Sequence, residues 1–234
     1  MSKYKDRLAL VTGASRGIGA AIAEALAGQG AHVILTARSA AGLEQVEERI
    51  HAAGGTATIA PLDLGKAEDI AKLAQAISGR WQTLDFLVLN AGMLGSLTPV
   101  EHIDVKEYAR IINLNLLANQ ALIAAFDPML KASDKAEVVA VTSSVGTTPR
   151  AFWGAYGSSK AALECLLGTY ADETAYTGKL RVTILDPGAT RTRMRALAFP
   201  GEEPSEVKPP ERVAERLVEL LGEERETGAK VRVD

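Results

Sequence analysis

Short apolar runs alternate with helical segments along most of this 234-residue chain, and this alternation restricts the possible fold more than any other feature. The runs are four to six residues long, as expected for buried strands, and the segments between them repeat apolar residues at helical spacing. Strands that alternate with helices form a parallel sheet, because right-handed crossovers place helices on both of its faces. The predicted class is therefore α/β, with a doubly wound parallel sheet. The predicted strands are 8–11, 32–36, 56–60, 84–89, 137–141 and 180–185, and the predicted helices are 17–26, 40–53, 67–78, 105–126 and 155–176.

One compositional break interrupts the pattern, between Arg195 and Pro210, where prolines, glycine and glutamates are concentrated. Proline cannot continue a central strand or a long helix. Only about 24 residues follow the break, too few for a second domain, which argues against an interdomain linker. We therefore predict one domain over residues 1–234, with a substrate lid or loop at about 188–210.

The charge balance excludes several classes of partner. The chain has 26 lysines and arginines against 29 aspartates and glutamates, so its formal net charge of −3 offers no positive field for nucleic acid or an anionic membrane. The first residues show no signal-peptide core, and the single cysteine cannot form an internal disulfide. We expect a cytoplasmic protein that binds neither nucleic acid nor membranes.

The histidines and the cysteine match no catalytic or metal-binding pattern. His32, His51 and His102 are far apart in the sequence, so we interpret them as surface or edge residues and predict no metal site. Cys165 lies in an apolar helical segment, where we expect a buried packing role rather than a nucleophile.

A glycine-rich turn, GASRGIG at residues 13–19, follows the first predicted strand and opens the first predicted helix. At the carboxyl end of a parallel strand, the backbone N–H groups of such a turn can bind a phosphate together with the helix N-terminus. The spacing G-x-x-x-G-x-G differs from the G-x-G-x-x-G pattern of many dinucleotide sites. Taken alone, the cluster also fits a tight turn between a strand and a helix.

Arg38 follows the second predicted strand, at the place where an NAD-binding unit carries an acidic residue for the ribose 2′-hydroxyl. A guanidinium can bind a 2′-phosphate through two parallel hydrogen bonds, and Arg16 in the glycine turn can add a second charge. These two arginines predict NADP(H) in preference to NAD(H). The alternative is that Arg38 is a solvated surface charge.

Tyr156 and Lys160 are four residues apart in a predicted helix and therefore share one face. An ammonium about 4 Å from a phenol contributes about 4 kcal/mol at an effective dielectric constant of about 20. The pair predicts a phenol whose pKa is lowered from about 10 toward neutrality, where it can give or take a proton. The spacing also arises by chance, but Ser143 follows the predicted strand 137–141, and a carbonyl oxygen could accept hydrogen bonds from both hydroxyls.

Together these motifs resemble the short-chain dehydrogenase/reductase family over essentially the whole chain. The matching segments are 12–19 (TGASRGIG), Asp63-Leu64, 90–92 (NAG), 113–116 (NLNL), Ser143, Tyr156 with Lys160, and Pro187-Gly188 with Thr192. The resemblance implies a single Rossmann-type domain with about seven strands and a bound nicotinamide cofactor. It also implies a homodimer or homotetramer, paired through the helices predicted at 105–126 and 155–176.

The resemblance also implies a role for each matching residue. Tyr156 would exchange a proton with the carbonyl oxygen, Ser143 would orient the carbonyl, and Lys160 would lower the phenol pKa and bind the nicotinamide ribose. Asn115 would hold a water that links Lys160 to solvent, with Asn113 as the alternative. The implied cofactor contacts are Gly13, Ser15, Arg16, Gly17, Ile18, Gly19, Arg38, Asp63, Leu64, Asn90, Ala91, Gly92, Tyr156, Lys160, Pro187, Gly188, Thr190 and Thr192.

Residues 187–200 are further similar to a bacterial branch of the family typified by the YciK oxidoreductase, a branch that implies no particular substrate. A basic cluster in this segment either attracts an acidic substrate or consists of solvated charges paired with nearby glutamates. Trp153 either walls a substrate pocket or serves ordinary packing. The basic cluster is Arg191, Arg193 and Arg195, and the candidate partners are Glu202 and Glu203.

The sequence therefore predicts an NADP-dependent oxidoreductase that interconverts a carbonyl and a secondary alcohol, with tyrosine as the acid–base group. The alternative is a regulatory or scaffold protein that binds NADP(H) without turnover. The predicted partner is a small carbonyl or alcohol, whose identity depends on pocket shape and does not follow from these motifs.

Overall fold

The computed structural model describes residues 3–234, and its sheet confirms the predicted doubly wound α/β class. The strands are β1 Leu8–Thr12, β2 His32–Ala37, β3 Thr56–Pro61, β4 Phe86–Leu89, β5 Ala136–Val141, β6 Leu180–Asp186 and β7 Ala229–Arg232. All are parallel and lie in the order β3-β2-β1-β4-β5-β6-β7. The order reverses between β1 and β4, and this switch point opens a crevice at the carboxyl ends of the strands.

All five predicted helical segments are present in the described range, together with three helices that were not predicted, and one predicted segment contains a π-helical turn. The helices are α1 Gly17–Gly28, α2 Ala40–Ala52, α3 Ala67–Ser78, α4 Val105–Ile112, α5 Ala118–Ala132, α6 Ser144–Thr147, α7 Gly154–Thr174, α8 Arg193–Ala198 and α9 Pro210–Leu220. The helix predicted at 105–126 is present within a longer helical run that continues to Ala132, and a π-helical turn at Asn113–Leu117 joins α4 to α5 inside it. Such turns widen the helix locally and are frequent at functional sites.

Three elements near the end of the chain, α8, α9 and β7, were not predicted. Pro209 and Pro210 suggest a break, yet Pro210 starts α9, because a proline at the first helical position loses no hydrogen bond. β7 is an edge strand whose residues are half-buried or exposed, so it lacks an apolar run. β7 therefore lacks the signal that identifies the central strands, whereas α9 carries Val213, Leu217 and Leu220 at helical spacing, a signal that the prediction missed.

Two hydrophobic layers hold the helices on the sheet. On one face, Val11 and Leu35 pack with α1, α2 and α9. On the other face, Leu10 and Ile34 pack with α3, α5 and α7. The alternation follows from the two-residue period of a strand, and each fully buried side chain contributes about 1.5–3 kcal/mol. These layers fix the loops at the carboxyl edge of the sheet.

The helical run Val105–Ala132 is long and apolar enough to cross a membrane by length and composition alone. Here Leu122, Phe126 and Leu130 are completely buried in the layer that covers the sheet. The run therefore occupies the position of a core helix.

Candidate active site

A cleft of about 1370 Å³ opens at the carboxyl edge of the sheet and gathers most of the predicted site residues. Its walls are the loops that follow β1, β2, β3, β4, β5 and β6. Every predicted site residue lines it except Gly19 and Asn115. Both are buried behind the wall, where each supports residues that do face the cleft.

The glycine turn is packed so closely that side chains would not fit in it. Gly13 and Gly17 have φ values of +65° and +57°, a region that favours glycine. A Cβ on Gly19 would lie 2.4 Å from Asn90 Nδ2 and 2.5 Å from the carbonyl oxygen of Gly13. The turn thus presents bare backbone beside the N-terminus of α1, a shape and polarity that fit a pyrophosphate.

Thr12 and Asn90 tie this turn to the neighbouring strand. Thr12 Oγ1 donates to the Val88 carbonyl at 3.0 Å and accepts from the backbone N–H groups of Asn90 at 2.9 Å and Ala91 at 3.0 Å. Asn90 Nδ2 donates to the Thr12 carbonyl at 2.9 Å. Thr12 was not among the predicted site residues; the available signal was a hydroxyl at the end of an apolar strand, directly before the first glycine.

Gly19→Ala should lower the free energy of unfolding by about 2–3 kcal/mol, since its Cβ meets Asn90 and the Gly13 backbone and forces the turn to shift. The matched control is Gly168→Ala in α7, where a Cβ has no atom within 4 Å and helix propensity predicts a gain of about 0.5–1 kcal/mol. Urea denaturation of both variants checks this. Equal stability of the two variants would contradict the packing argument.

The two arginines predicted to bind a 2′-phosphate both line the cleft. Arg16 directly precedes α1 and Arg38 directly follows β2. Both are exposed, and neither forms an ion pair with any residue in the range 3–234. Ser39, the next residue, caps α2 by accepting from the Gly42 N–H at 3.2 Å. These guanidinium groups are thus free to bind an anion at this end of the cleft.

The structure separates the two candidate asparagines. Asn113 Nδ2 donates to the Gly65 carbonyl at 2.9 Å, and Asp63 Oδ1 accepts from the Gly65 N–H at 3.0 Å. Asn113 therefore holds the loop after β3, where Asp63 and Leu64 line the cleft. Asn115 lies in the middle of the π-helical turn and faces the region of Lys160.

Asn115 is fully buried and uses its amide to hold the loop after β4. Its Oδ1 accepts from the Met93 N–H at 2.8 Å, and its Nδ2 donates to the Met93 carbonyl at 2.9 Å and to Ser159 Oγ at 3.0 Å. A Cβ on Gly92 would lie 3.2 Å from Asn115 Oδ1 and 3.7 Å from Lys160 Nζ. A side chain at Gly92 would therefore crowd the amide of Asn115.

Tyr156 and Lys160 lie on the inward face of α7, as their spacing predicts. Both are buried, and Lys160 Nζ donates to the Val141 carbonyl at 2.9 Å while lying 5.7 Å from the centroid of the Tyr156 ring. Ser143, two residues beyond Val141, is half-buried and immediately precedes α6. The end of β5 and the start of α7 thus bring all three side chains to one part of the cleft.

The predicted lowering of the Tyr156 pKa is wrong for this structure. Burial raises the pKa of the Tyr156 phenol above its usual value, and the nearby Asp186 carboxylate raises it further. Burial also lowers the pKa of Lys160 to about 8, against the opposing effect of Glu164. The predicted shift holds for a solvated Tyr–Lys pair, whereas the burial of this pair disfavours both charged forms.

Apolar side chains wall the cleft beside Tyr156. Leu94, Val145 and Tyr156 form a buried cluster against which Trp153 and Met194 pack. The Trp153 ring centroid is 6.0 Å from that of Tyr156 and 5.8 Å from that of Phe199. Trp153 therefore lines the cleft and also packs against a small core. A contact between Trp153 and substrate stays a prediction.

The segment predicted as a lid is fastened at its two ends. The Arg191 N–H donates to the Lys208 carbonyl at 2.8 Å, beside an isolated parallel bridge between Thr190 and Lys208. Thr190 Oγ1 donates to the Pro187 carbonyl at 2.9 Å. Thr192 caps α8, and its Cγ2 would lie 3.4 Å from a Cβ on Gly17. The segment thus reaches from the sheet edge to the glycine turn; closure over a substrate stays a prediction.

The basic cluster in this segment is only partly paired. Arg195 forms an ion pair with Glu202 and lies 3.7 Å from the Phe199 ring centroid. Arg191 and Arg193 line the cleft without an ion pair among residues 3–234, and Glu203 is likewise without one there.

Cys165 contradicts its predicted buried packing role, because it is exposed on α7. Its neighbours Leu163 and Leu167 occupy the buried face instead. Within residues 3–234 no cluster of three or more potential metal ligands occurs.

Comparison with known proteins agrees with this architecture. The sequence profile described as short chain dehydrogenase matches residues 7–203. The uncharacterized oxidoreductase YciK of Escherichia coli K12 is 39% identical over 228 residues, 95% of this chain and 90% of that protein.

Two solved structures resemble the chain over nearly its full length. A short chain dehydrogenase from Shigella flexneri 2a, complexed with NADP, superposes with a TM-score of 0.94 at 38% identity and covers 99% of this chain and 98% of its own. One from Escherichia coli CFT073, complexed with NADPH, gives 0.94 at 39% identity, covering 100% and 98%. The resemblance to a YciK-like branch is confirmed, and the chain belongs to the short-chain dehydrogenase/reductase family of oxidoreductases.

Proposed function

We propose that this protein is an NADP-dependent oxidoreductase that interconverts a carbonyl and a secondary alcohol. The observation that carries the proposal is the placement, in one cleft, of a bare glycine turn, unpaired arginines and the buried Tyr156 and Lys160 beside Ser143. The NADP and NADPH complexes of the two similar structures support the cofactor.

The cleft residues fit a dinucleotide phosphate from end to end. The glycine turn and the N-terminus of α1 would hold the pyrophosphate, and Arg38 with Arg16 would bind the 2′-phosphate. Asp63 and Leu64 would flank the adenine. Gly188, Thr190 and Thr192 would shape the nicotinamide end, where the bound NADPH supplies the hydride. The remaining proposed contacts are Gly13, Ser15, Ile18, Asn90, Ala91, Gly92 and Pro187.

The proton chemistry is proposed for Tyr156 and Ser143. Because burial keeps the pKa of the phenol high, Tyr156 stays protonated at neutral pH and can donate its proton to a carbonyl oxygen during reduction. Ser143 would donate a second hydrogen bond to the same oxygen and stabilise its developing charge.

Lys160 and Asn115 would restore that proton. With a pKa of about 8, Lys160 is mostly an ammonium at pH 7 and can stabilise the phenolate left by proton transfer. Asn115, which faces Lys160 across Gly92, would hold the loop and a water that connects the ammonium to solvent.

Arg38→Asp should weaken NADPH binding by about 100-fold, since a charge-assisted contact is lost and a carboxylate then faces the 2′-phosphate. NADH, which lacks that phosphate, should bind about as well as before or more tightly. The control is Lys106→Asp, the same charge change at an exposed position on α4 outside the cleft. Fluorescence titration at one fixed ionic strength measures all three proteins. Unchanged NADPH affinity in Arg38→Asp would refute the phosphate contact.

We also propose a cytoplasmic homodimer or homotetramer. Exposed apolar side chains on the segments expected to pair are consistent with this assembly: Val105 is 78% exposed and Leu117 is 53% exposed.

A further inference from the structure

Glu164 is a buried carboxylate one helical turn beyond Lys160, and it accepts three hydrogen bonds. Its Oε1 accepts from Thr142 Oγ1 at 2.5 Å. Its Oε2 accepts from Thr147 Oγ1 at 3.1 Å and from Lys230 Nζ at 2.9 Å. Only 6% of the Glu164 side chain is exposed, so these contacts replace most of its hydration.

The two threonines enclose the segment that carries Ser143. Thr142 directly precedes Ser143, and Thr147 is the last residue of α6. Since Lys160 Nζ also donates to the Val141 carbonyl, α7 holds residues 141–147 from both sides of Ser143. The position of Ser143 relative to α7 therefore depends on the Glu164 carboxylate.

Gly146 shows how closely the two segments approach. A Cβ at this residue would lie 2.7 Å from Glu164 Oε1 and 3.1 Å from the carbonyl carbon of Lys160. A separation below 3.0 Å forces a shift, so a side chain at Gly146 would displace the Glu164 carboxylate.

Titratable groups from three elements surround Lys160 and Glu164. Glu164 is the charged group that raises the pKa of Lys160, opposing the effect of burial. From the same helix Tyr156 also faces the ammonium, and from β6 Asp186 acts on Tyr156. From β7, Lys230 reaches Glu164 with a side chain that is 58% exposed. Removing the Glu164 charge would leave the buried ammonium without its nearby anion.

We propose that Glu164 is a positioning residue that fixes the Ser143 segment against α7 and places a buried carboxylate one helical turn from the Lys160 side chain. This inference rests on the proposed function, because it assumes that Ser143 and Lys160 act on substrate and cofactor. It adds a residue, outside the four predicted catalytic residues Asn115, Ser143, Tyr156 and Lys160, through which Ser143 and Lys160 are aligned.

The test is a pH titration of the Lys160 13Cε resonance in cofactor-free protein, assigned by its absence in Lys160→Met. In wild type the midpoint should lie near 8. In Glu164→Gln it should fall by about one unit, because the neutral amide no longer supports the ammonium. An unchanged or raised midpoint would overturn the charge role.

Lys230→Met provides a second variant of opposite sign that leaves the buried groups in place. Removing this cation leaves the Glu164 charge to act on Lys160 alone, so the midpoint should rise. A purely structural role would instead make both variants shift in the same direction or not at all. If Glu164→Gln does not fold, a constant or lowered midpoint in Lys230→Met refutes the inference.

Kinetics separates this inference from the proposed function. In Glu164→Gln, kcat should fall about 10-fold or more, and KM for NADPH should change little. In the plot of kcat against pH, the decline at alkaline pH should begin at a lower pH than in wild type. A wild-type protein that turns over no carbonyl would refute the proposed function while the resonance titration still tests the charge. A wild type that turns over, with the alkaline decline unmoved in Glu164→Gln, would refute the inference alone.

Discussion

Tyr156→Phe should lower kcat for carbonyl reduction by about 1000-fold or more while NADPH affinity changes less than about threefold. The ring is buried against Leu94 and Val145, and phenylalanine preserves that packing. The Tyr156 hydroxyl makes no hydrogen bond with any residue in the range 3–234, so its removal leaves no buried partner unsatisfied. The loss would therefore report the proton alone and not a disturbed fold.

The matched control is Tyr108→Phe, which removes a phenolic hydroxyl that contacts Ser158 Oγ at 2.9 Å outside the cleft. It should retain wild-type kcat within about twofold. Steady-state NADPH consumption and a fluorescence titration of NADPH compare the variants. A Tyr156→Phe protein that kept its reductase rate would remove Tyr156 from the proton transfer.

Lys160→Met should lower kcat by about 1000-fold or more. The same substitution should raise the free energy of unfolding at pH 7. Folding lowers the pKa of Lys160 from 10.5 to about 8, so at neutral pH the folded state holds a buried ammonium at a cost of about 3 kcal/mol. Methionine removes that cost and the hydrogen bond to the Val141 carbonyl, which is worth about 1 kcal/mol. The expected net gain is about 1–2 kcal/mol.

The stability difference between Lys160→Met and wild type should depend on pH. Below pH 8 the full cost of the Lys160 ammonium is present, and it disappears between about pH 8 and 10.5 as the folded and then the unfolded lysine lose their protons. The advantage of Lys160→Met in urea denaturation should therefore be largest at pH 7 and shrink by pH 10. A variant less stable than wild type at pH 7 would contradict the cost assigned to the buried ammonium.

The sequence predicts the central fold because its signals are local. Buried parallel strands such as β5 need an uninterrupted apolar run, and a pyrophosphate turn needs glycine at Gly13, Gly17 and Gly19. The helical period alone places Tyr156 and Lys160 on one face. The family resemblance then selects Asn115, and the structure places it, and not Asn113, beside Lys160.

Features that depend on tertiary packing could not be predicted in this way. The pKa of Tyr156 depends on desolvation by a completed core, which residue spacing does not report. The exposure of Cys165 depends on which face of α7 meets the sheet. Glu164 has no local motif, since its partners Thr142 and Lys230 come from β5's end and from an edge strand.

The most direct test of the central claim uses NADPH that carries deuterium at the transferable position. The protein is incubated with this NADPH and with aldehydes and ketones of graded size, and the masses of the alcohol products are measured by mass spectrometry. The proposal predicts one deuterium in the carbinol position of at least one product made by the wild type and none made by Tyr156→Phe. If the wild type binds NADPH tightly and transfers no label to any carbonyl, and no hydride from the matching alcohols to NADP, the protein uses this cofactor as a ligand and the enzymatic account is wrong.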